Sequence, residues 1–121
     1  MNRRVAVGYM LAHAEPIRQR HAEQRIRSLA RKHDVHLVRT IVIGPRMDRP
    51  LGRLLDAIDT LRAAAAAKGR PQPSVLVITP DLDHVDKRPA VICAVADLLT
   101  VRPEQLWTRG QTTEAAVSVD L

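Results

Sequence analysis

Two apolar runs decide the fold of this chain: VAVGYML at residues 5–11 and VLVI at residues 75–78. Both are short, continuous and rich in strand-forming residues, a pattern typical of strands that are covered on both faces. Apolar residues recur at helical spacing over residues 17–32 and again over residues 50–67. Strands and helices therefore alternate along the chain, which indicates right-handed crossovers and a largely parallel sheet.

The remaining segments extend this pattern. Residues 35–43 read as a second strand, which the Gly44-Pro45 pair ends. A third helix is expected to begin at Pro89 and to contain Leu98 and Leu99, and residues 106–107 predict a short fourth strand. We expect a three-layer α/β fold: a mainly parallel sheet of four or five strands, with helices on both faces and the two apolar runs adjacent and interior.

Length and composition indicate one domain of ordinary globular type. A chain of 121 residues fits a single domain, which we place at residues 1–109, with a C-terminal tail at residues 110–121 that we expect to be poorly ordered. The single cysteine, Cys93, lies in an apolar stretch, so a buried, reduced thiol is expected. No signal segment and no run of 18 apolar residues is present, so we expect a cytoplasmic protein without a membrane span.

The charge of the chain favours contact with phosphate. The formal net charge is +6, and arginines cluster in the first helix and near the second crossover. The candidate phosphate-contacting residues are Arg18, Arg25, Arg46, Arg49 and Arg53. Aromatic residues make up only 2% of the chain, so bases would find little to stack on. We therefore expect weak, sequence-independent nucleic-acid binding; acidic neighbours that neutralise the helix are the alternative.

Polar side chains follow the predicted strands at their carboxyl ends, where parallel sheets place their functional residues. If the first and third strands are neighbours, His13 would face Asp83 and Lys87 across a shallow cleft. The simpler interpretation of Asp83 is structural: it caps the next helix or pairs with a nearby cation. The chain lacks a glycine-rich dinucleotide or phosphate loop, and the spacing of Asp81, Asp83 and His84 matches no recognised metal loop, so we predict no cofactor and no metal.

The order of elements and two motifs resemble the catalytic domain of the serine recombinases (resolvases and invertases). That family opens with a strand leading into Tyr-x-Arg-x-Ser-Thr, in which the serine attacks a DNA phosphate. The stretch YMLAHA at residues 9–14 is similar but keeps only Tyr9, with Leu11 in the place of the arginine and His13 in the place of the serine.

The second motif of the family, Lys-Leu-Asp-Arg-Leu-x-Arg, follows a buried strand and resembles the segment after Ile78. Here Leu82 and Asp83 are kept, while His84 and Lys87 replace the two arginines. The resemblance covers roughly residues 4–108 and also includes the segment RPLGRLL at residues 49–55. It implies a fold like the resolvase N-terminal domain and a remnant cleft of five residues: Tyr9, His13, Asp83, His84 and Lys87.

The missing groups imply a domain without recombinase activity. A covalent phosphoserine mechanism needs its hydroxyl, and arginines facing the developing charge contribute several kcal/mol. We therefore expect a non-catalytic domain that acts by protein–protein association, as a dimer, and by weak nucleic-acid binding. Two alternatives stay open: a small phosphate-ester enzyme that reuses the cleft around His13, Asp83, His84 and Lys87, and a nucleotide-responsive regulatory module.

Overall fold

The computed structural model describes residues 4–110 and 117–118 and contains helices on both faces of one sheet. The elements in chain order are β1 (Val5–Leu11), α1 (Pro16–Lys32), β2 (His36–Ile43), α2 (Pro50–Ala67), β3 (Val75–Thr79), α3 (Pro89–Cys93), β4 (Asp97–Thr100), β5 (Gln105–Trp107) and β6 (Val117–Ser118). A 3₁₀ helix at Leu82–Val85 connects β3 to α3. None of the helices in this described part is long and apolar enough to cross a membrane.

The sheet has the strand order β2-β1-β3-β4-β5-β6. The first four strands in this order are parallel, and β5 and β6 are antiparallel additions at one side. The predicted α/β class and mainly parallel sheet are confirmed, with β1 and β3 adjacent and interior. The expected number was four or five strands; the sheet contains β1 to β5 and also the two-residue β6. Apart from Gly110 and β6, the predicted tail at residues 110–121 lies outside the described residues.

Side chains of β1 alternate between two cores because successive strand residues point to opposite faces of a sheet. On one face, Ala6 packs in a cluster with Ile26 of α1. On the other face, Val7 packs in a cluster with Leu54 of α2, and the same cluster includes Cys93 at the end of α3. The predicted burial of Cys93 is confirmed. Helix α1 therefore covers one face of the sheet, and α2 and α3 cover the other.

The predicted third helix is wrong beyond Cys93. Helix α3 ends there, and Leu98 and Leu99 belong to β4, where they pair in parallel with Val77 and Ile78 of β3. Leu98 joins the core under α2 and α3, while Leu99 joins the core under α1. The apolar spacing of this segment fits a helix, but the segment forms a strand that is buried on both faces. Pairing with β3 provides hydrogen-bond partners for its backbone and buries the side chains on both of its faces.

The four parallel strands end at the same edge of the sheet. The loops after β1, β2 and β3 and the residues after β4 therefore meet there, next to the N-terminal ends of α1 and α2. Backbone hydrogen bonds continue past the strands at this edge: Ala12 N donates to Ile43 O at 2.9 Å, and Arg102 N donates to Pro80 O at 2.9 Å. These bonds fix the chain immediately beside the side chains considered below.

Candidate functional site

Two open clefts lie at the carboxyl edge of the sheet, and His84 lines both of them. The α1-side cleft has a volume of about 340 Å³ and is lined by His13, Arg18, His21, Ala22, Arg25, Pro80, Asp81, His84, Val101 and Arg102. The α2-side cleft has a volume of about 530 Å³ and is lined by Tyr9, Leu11, Arg49, Pro50, Leu51, Gly52, Asp83, His84 and Asp86.

The imidazole of His84 is held in place by a backbone N–H group and by a neighbouring ring. The backbone N–H of Leu11 donates to its Nδ1 at 2.8 Å, so the neutral ring carries its proton on Nε2. The ring of His13 packs against it edge to face, with 6.1 Å between ring centroids. Burial lowers the pKa of His84 below its usual 6.5, and the nearby Asp81 opposes that shift. At neutral pH, His84 is therefore an uncharged hydrogen-bond donor.

The α1-side cleft is rich in cationic side chains from different elements. Arg18 and Arg25 are seven residues apart on α1, close to two turns, so they lie on the same side of the helix. Arg102 reaches the cleft from the end of β4. Asp81 is the single carboxylate among the lining residues, and its Oδ1 accepts a hydrogen bond from Asp83 N at 2.9 Å. The cleft therefore favours an anion.

The α2-side cleft brings together several residues of the recombinase resemblance. Tyr9, Asp83 and His84 line it, together with Arg49 at the N-terminal cap of α2. Arg49 has a left-handed backbone with φ of 48°, and its guanidinium folds over Gly52, where a Cβ would lie 3.1 Å from Nη2. The hydroxyl of Tyr9 is buried without a hydrogen-bond partner in the described part of the chain, and burial raises the pKa of Tyr9.

His13 does not face Asp83 and Lys87 across one cleft, as the sequence predicted. His13 contacts His84 and lines the α1-side cleft, whereas Asp83 lines the α2-side cleft. Among the described residues there is no hydrogen bond between His13 and Asp83. Lys87 lines neither cleft; its Nζ lies 3.7 Å from Asp83 Oδ1, and both side chains are largely exposed. Asp83 thus pairs with a nearby cation, which was the simpler of its two interpretations. The predicted residues line two separate clefts instead of one.

The candidate phosphate-contacting arginines lie on both sides of the sheet. Arg18 and Arg25 belong to α1, while Arg46, Arg49 and Arg53 lie before or within α2 on the opposite face. Arg53 Nη2 donates to Asp48 Oδ1 at 2.8 Å, and this hydrogen bond lowers the pKa of Asp48. The arginines of α1 and those near α2 therefore belong to helices, or adjoin a helix, that cover opposite faces of the sheet.

Arg102 and His21 line the α1-side cleft but were not among the predicted site residues. Arg102 was missed because β4 was interpreted as part of a helix; a strand there would have placed Arg102 at a carboxyl end, where functional residues gather. His21 was interpreted as facing solvent. Its position three residues after Arg18 and four before Arg25 puts all three side chains on one side of α1.

Within residues 4–110 and 117–118, no group of three or more His, Cys, Asp or Glu side chains is arranged to hold a metal ion. Comparison of the chain with protein-family models, with curated proteins and with solved structures gives no significant match. The resemblance to serine recombinases therefore stays a prediction from the motifs of the sequence.

Proposed function

We propose that this chain is a non-catalytic, recombinase-like domain that binds the phosphate backbone of nucleic acid without reading its sequence. The observation that carries this proposal is a row of exposed arginines on α1: Arg20, Arg27 and Arg31, called here the outer row. In the described part of the chain, the ion pairs of the α1 region involve Arg18, Lys32 and the C-cap residue His33, and none involves the outer row.

The outer row matches the spacing of a nucleic-acid strand. At 1.5 Å per helical residue, Arg20 and Arg31 are separated by about 16 Å along the axis. Phosphates recur along each duplex strand at about 3.4 Å of axial rise, so this row reaches several successive phosphates. Contacts of this kind position a protein on nucleic acid but carry no sequence information.

The placement of the aromatic residues supports binding without base recognition. The chain contains no Phe, one Tyr and one Trp. Both Tyr9 and Trp107 are buried in the core between the sheet and α2. Unpaired bases therefore find no exposed aromatic ring of this type on which to stack.

The chemistry of both clefts supports a non-catalytic role. None of the residues that line them is Ser, Thr or Cys. Burial raises the pKa of the Tyr9 hydroxyl and of the Cys93 thiol, so both stay protonated and are poor nucleophiles at neutral pH. At His84, Nδ1 already accepts the Leu11 N–H. No specific observation favours the phosphate-ester enzyme or the nucleotide-responsive module over phosphate binding.

The experiment measures the salt dependence of binding to a labelled duplex of about 20 base pairs by fluorescence anisotropy, between about 50 and 200 mM salt. We expect micromolar or weaker binding at physiological salt, with little difference between unrelated sequences. The variant Arg20→Gln/Arg27→Gln/Arg31→Gln removes the outer row. Its plot of log K against log salt should be less steep by about 3, because each lost phosphate contact reduces the slope by about 0.9.

The control variant Arg39→Gln/Lys68→Gln/Arg70→Gln changes the net charge equally at exposed positions outside α1. Its salt slope should remain close to that of the unmodified protein. Absence of binding at about 50 mM salt, or equal losses in the two triple variants, would contradict the proposal.

Self-association is the second candidate, and it is favoured by the exposed apolar side chains. Ile17 on α1 is 61% exposed and Met47 is 44% exposed. Met47 and Leu11 line an apolar groove of about 520 Å³ at the carboxyl edge of β1 and β2. Exposed apolar surface of this kind is covered in many proteins by a partner, and a second copy of this chain is the partner we propose.

A further inference from the structure

The α1-side cleft lies on the other side of α1 from the outer row, and backbone binding by that row does not explain it. Helix geometry places Arg18 and Arg25 roughly opposite Arg20 and Arg27 around the axis of α1. We propose that the α1-side cleft binds a terminal phosphate, that is, a phosphomonoester group. The ligand is either the phosphorylated end of a nucleic-acid strand or a small phosphorylated metabolite, which share this chemistry.

The cationic groups reach the cleft from separate elements. Arg18 and Arg25 come from α1, and Arg102 comes from the end of β4. A phosphomonoester has three unesterified oxygens, whereas a phosphate inside a nucleic-acid strand has only two. Guanidinium groups bind phosphate oxygens with paired N–H donors, so three arginines around one cleft suit the terminal group.

Hydrogen bonds hold the ring of His84 and the backbone of Arg102 beside the cleft. The Leu11 N–H bonded to Nδ1 holds the His84 ring and leaves Nε2 as its donor, and the ring of His13 packs against it. The backbone N–H of Arg102 donates to the carbonyl oxygen of Pro80, the residue that follows β3. Little reorganisation of the His84 ring is therefore needed when a ligand enters, which favours binding.

The acidic groups near the cleft do not cancel its positive charge. Asp81 lines the cleft, and Glu15 lies 3.5 Å from Arg18 in an exposed ion pair that contributes little. The three arginines, counted against both carboxylates, leave an excess of one positive charge. The volume of about 340 Å³ is at the lower end for ligand sites. It accommodates a phosphate and the sugar attached to it.

The test compares a 5′-phosphorylated thymidine tetranucleotide with the same oligonucleotide bearing a 5′-hydroxyl, by isothermal titration calorimetry on the full chain. We expect the phosphorylated form to bind about tenfold more tightly, because charge-assisted hydrogen bonds to arginine are lost with the terminal group. Ribose 5-phosphate is the second probe. Equal affinity for ribose 5-phosphate and the phosphorylated oligonucleotide identifies a small metabolite as the source, and tighter binding of the oligonucleotide identifies a strand end.

The variant Arg25→Gln should weaken binding of the phosphorylated probes by about tenfold. Arg70→Gln, at an exposed position outside α1 and outside both clefts, is the matched control and should change it less than about twofold. Arg102→Gln tests the opposite wall, and circular dichroism establishes that each variant is folded. Equal affinity for the phosphorylated and hydroxyl oligonucleotides, or equal effects of Arg25→Gln and Arg70→Gln, would overturn the proposal. Loss of duplex binding in the outer-row variant leaves this result unaffected.

Discussion

Gly8 lies where β1 packs closely against both β2 and α1. Adding a single methyl group at this position tests that packing directly. A Cβ at this position of β1 would lie 2.7 Å from Thr40 Oγ1 in β2 and 3.0 Å from Ile26 Cγ2 in α1. Gly8 and Thr40 are register partners in the parallel pair of strands, and Ile26 is fully buried. Ile26 therefore cannot move away without disturbing the core around it, whereas Thr40 is half-buried on the outermost strand, β2.

The magnitude follows from two opposing effects. Forcing an extra methyl group into a packed site costs about 1–3 kcal/mol. Replacing glycine by alanine in an ordinary backbone conformation gains about 0.4–1 kcal/mol, because the unfolded chain loses freedom. We expect Gly8→Ala to lower the free energy of unfolding by about 1–2 kcal/mol in total. For a domain of this size, that corresponds to a fall in Tm of about 4–8 °C.

The assay is urea unfolding monitored by circular dichroism, with Gly44→Ala as the matched control. A Cβ at Gly44 would have only Met47 Sδ nearby, at 4.0 Å, so this variant should be neutral or slightly stabilised. In a Thr40→Ala background, which removes the closest contact, the cost of Gly8→Ala should fall by about 1 kcal/mol. The reasoning is refuted if Gly8→Ala is as stable as the unmodified protein, or if its cost is unchanged without the Thr40 side chain.

Three other expectations concern protonation, chemistry and assembly. Burial lowers the pKa of His84 in the folded state, so the unfolded chain binds the proton first as the pH falls below 6.5, and the free energy of unfolding declines there. Urea unfolding at pH about 7.5 and at pH about 5.5 should show a smaller decline for His84→Gln than for the unmodified protein. Equal declines in the two proteins would contradict the lowered pKa of His84. With supercoiled plasmid we expect neither cleavage nor a covalent protein–DNA adduct, and an adduct that disappears in His13→Ala would show this to be wrong. Sedimentation at about 100 µM should show a dimer that Ile17→Glu converts to monomer, whereas a clean monomer of the unmodified protein would argue against self-association.

The interior strands were predictable because their signal is local. The runs at β1 and β3 consist of consecutive apolar residues, and a strand covered on both faces requires that composition. Helices α1 and α2 were equally visible, since each buries one side and exposes the other. From these elements, the parallel order also placed His13, Asp83 and His84 at one edge of the sheet.

Helix α3 and β4 could not be separated in this way. Val95, Leu98 and Leu99 are spaced as on a helix, and a short apolar segment has no periodicity of its own that distinguishes the two structures. The long-range pairing with β3 decided the outcome by burying Leu98 in one core and Leu99 in the other. Arg102 was lost from the predicted site for the same reason.

The sequence by itself determined the α/β class, the interior strands and the basic charge. Only the tertiary structure decided which polar residues line the α1-side cleft and which line the α2-side cleft. His84 lines both clefts because Leu11 N–H holds its ring between them, while α1 and α2 lie on opposite faces of the sheet and separate Arg25 from Arg49. Charge and composition are properties of the chain, whereas the grouping of charges around a cleft depends on which elements pack on which face.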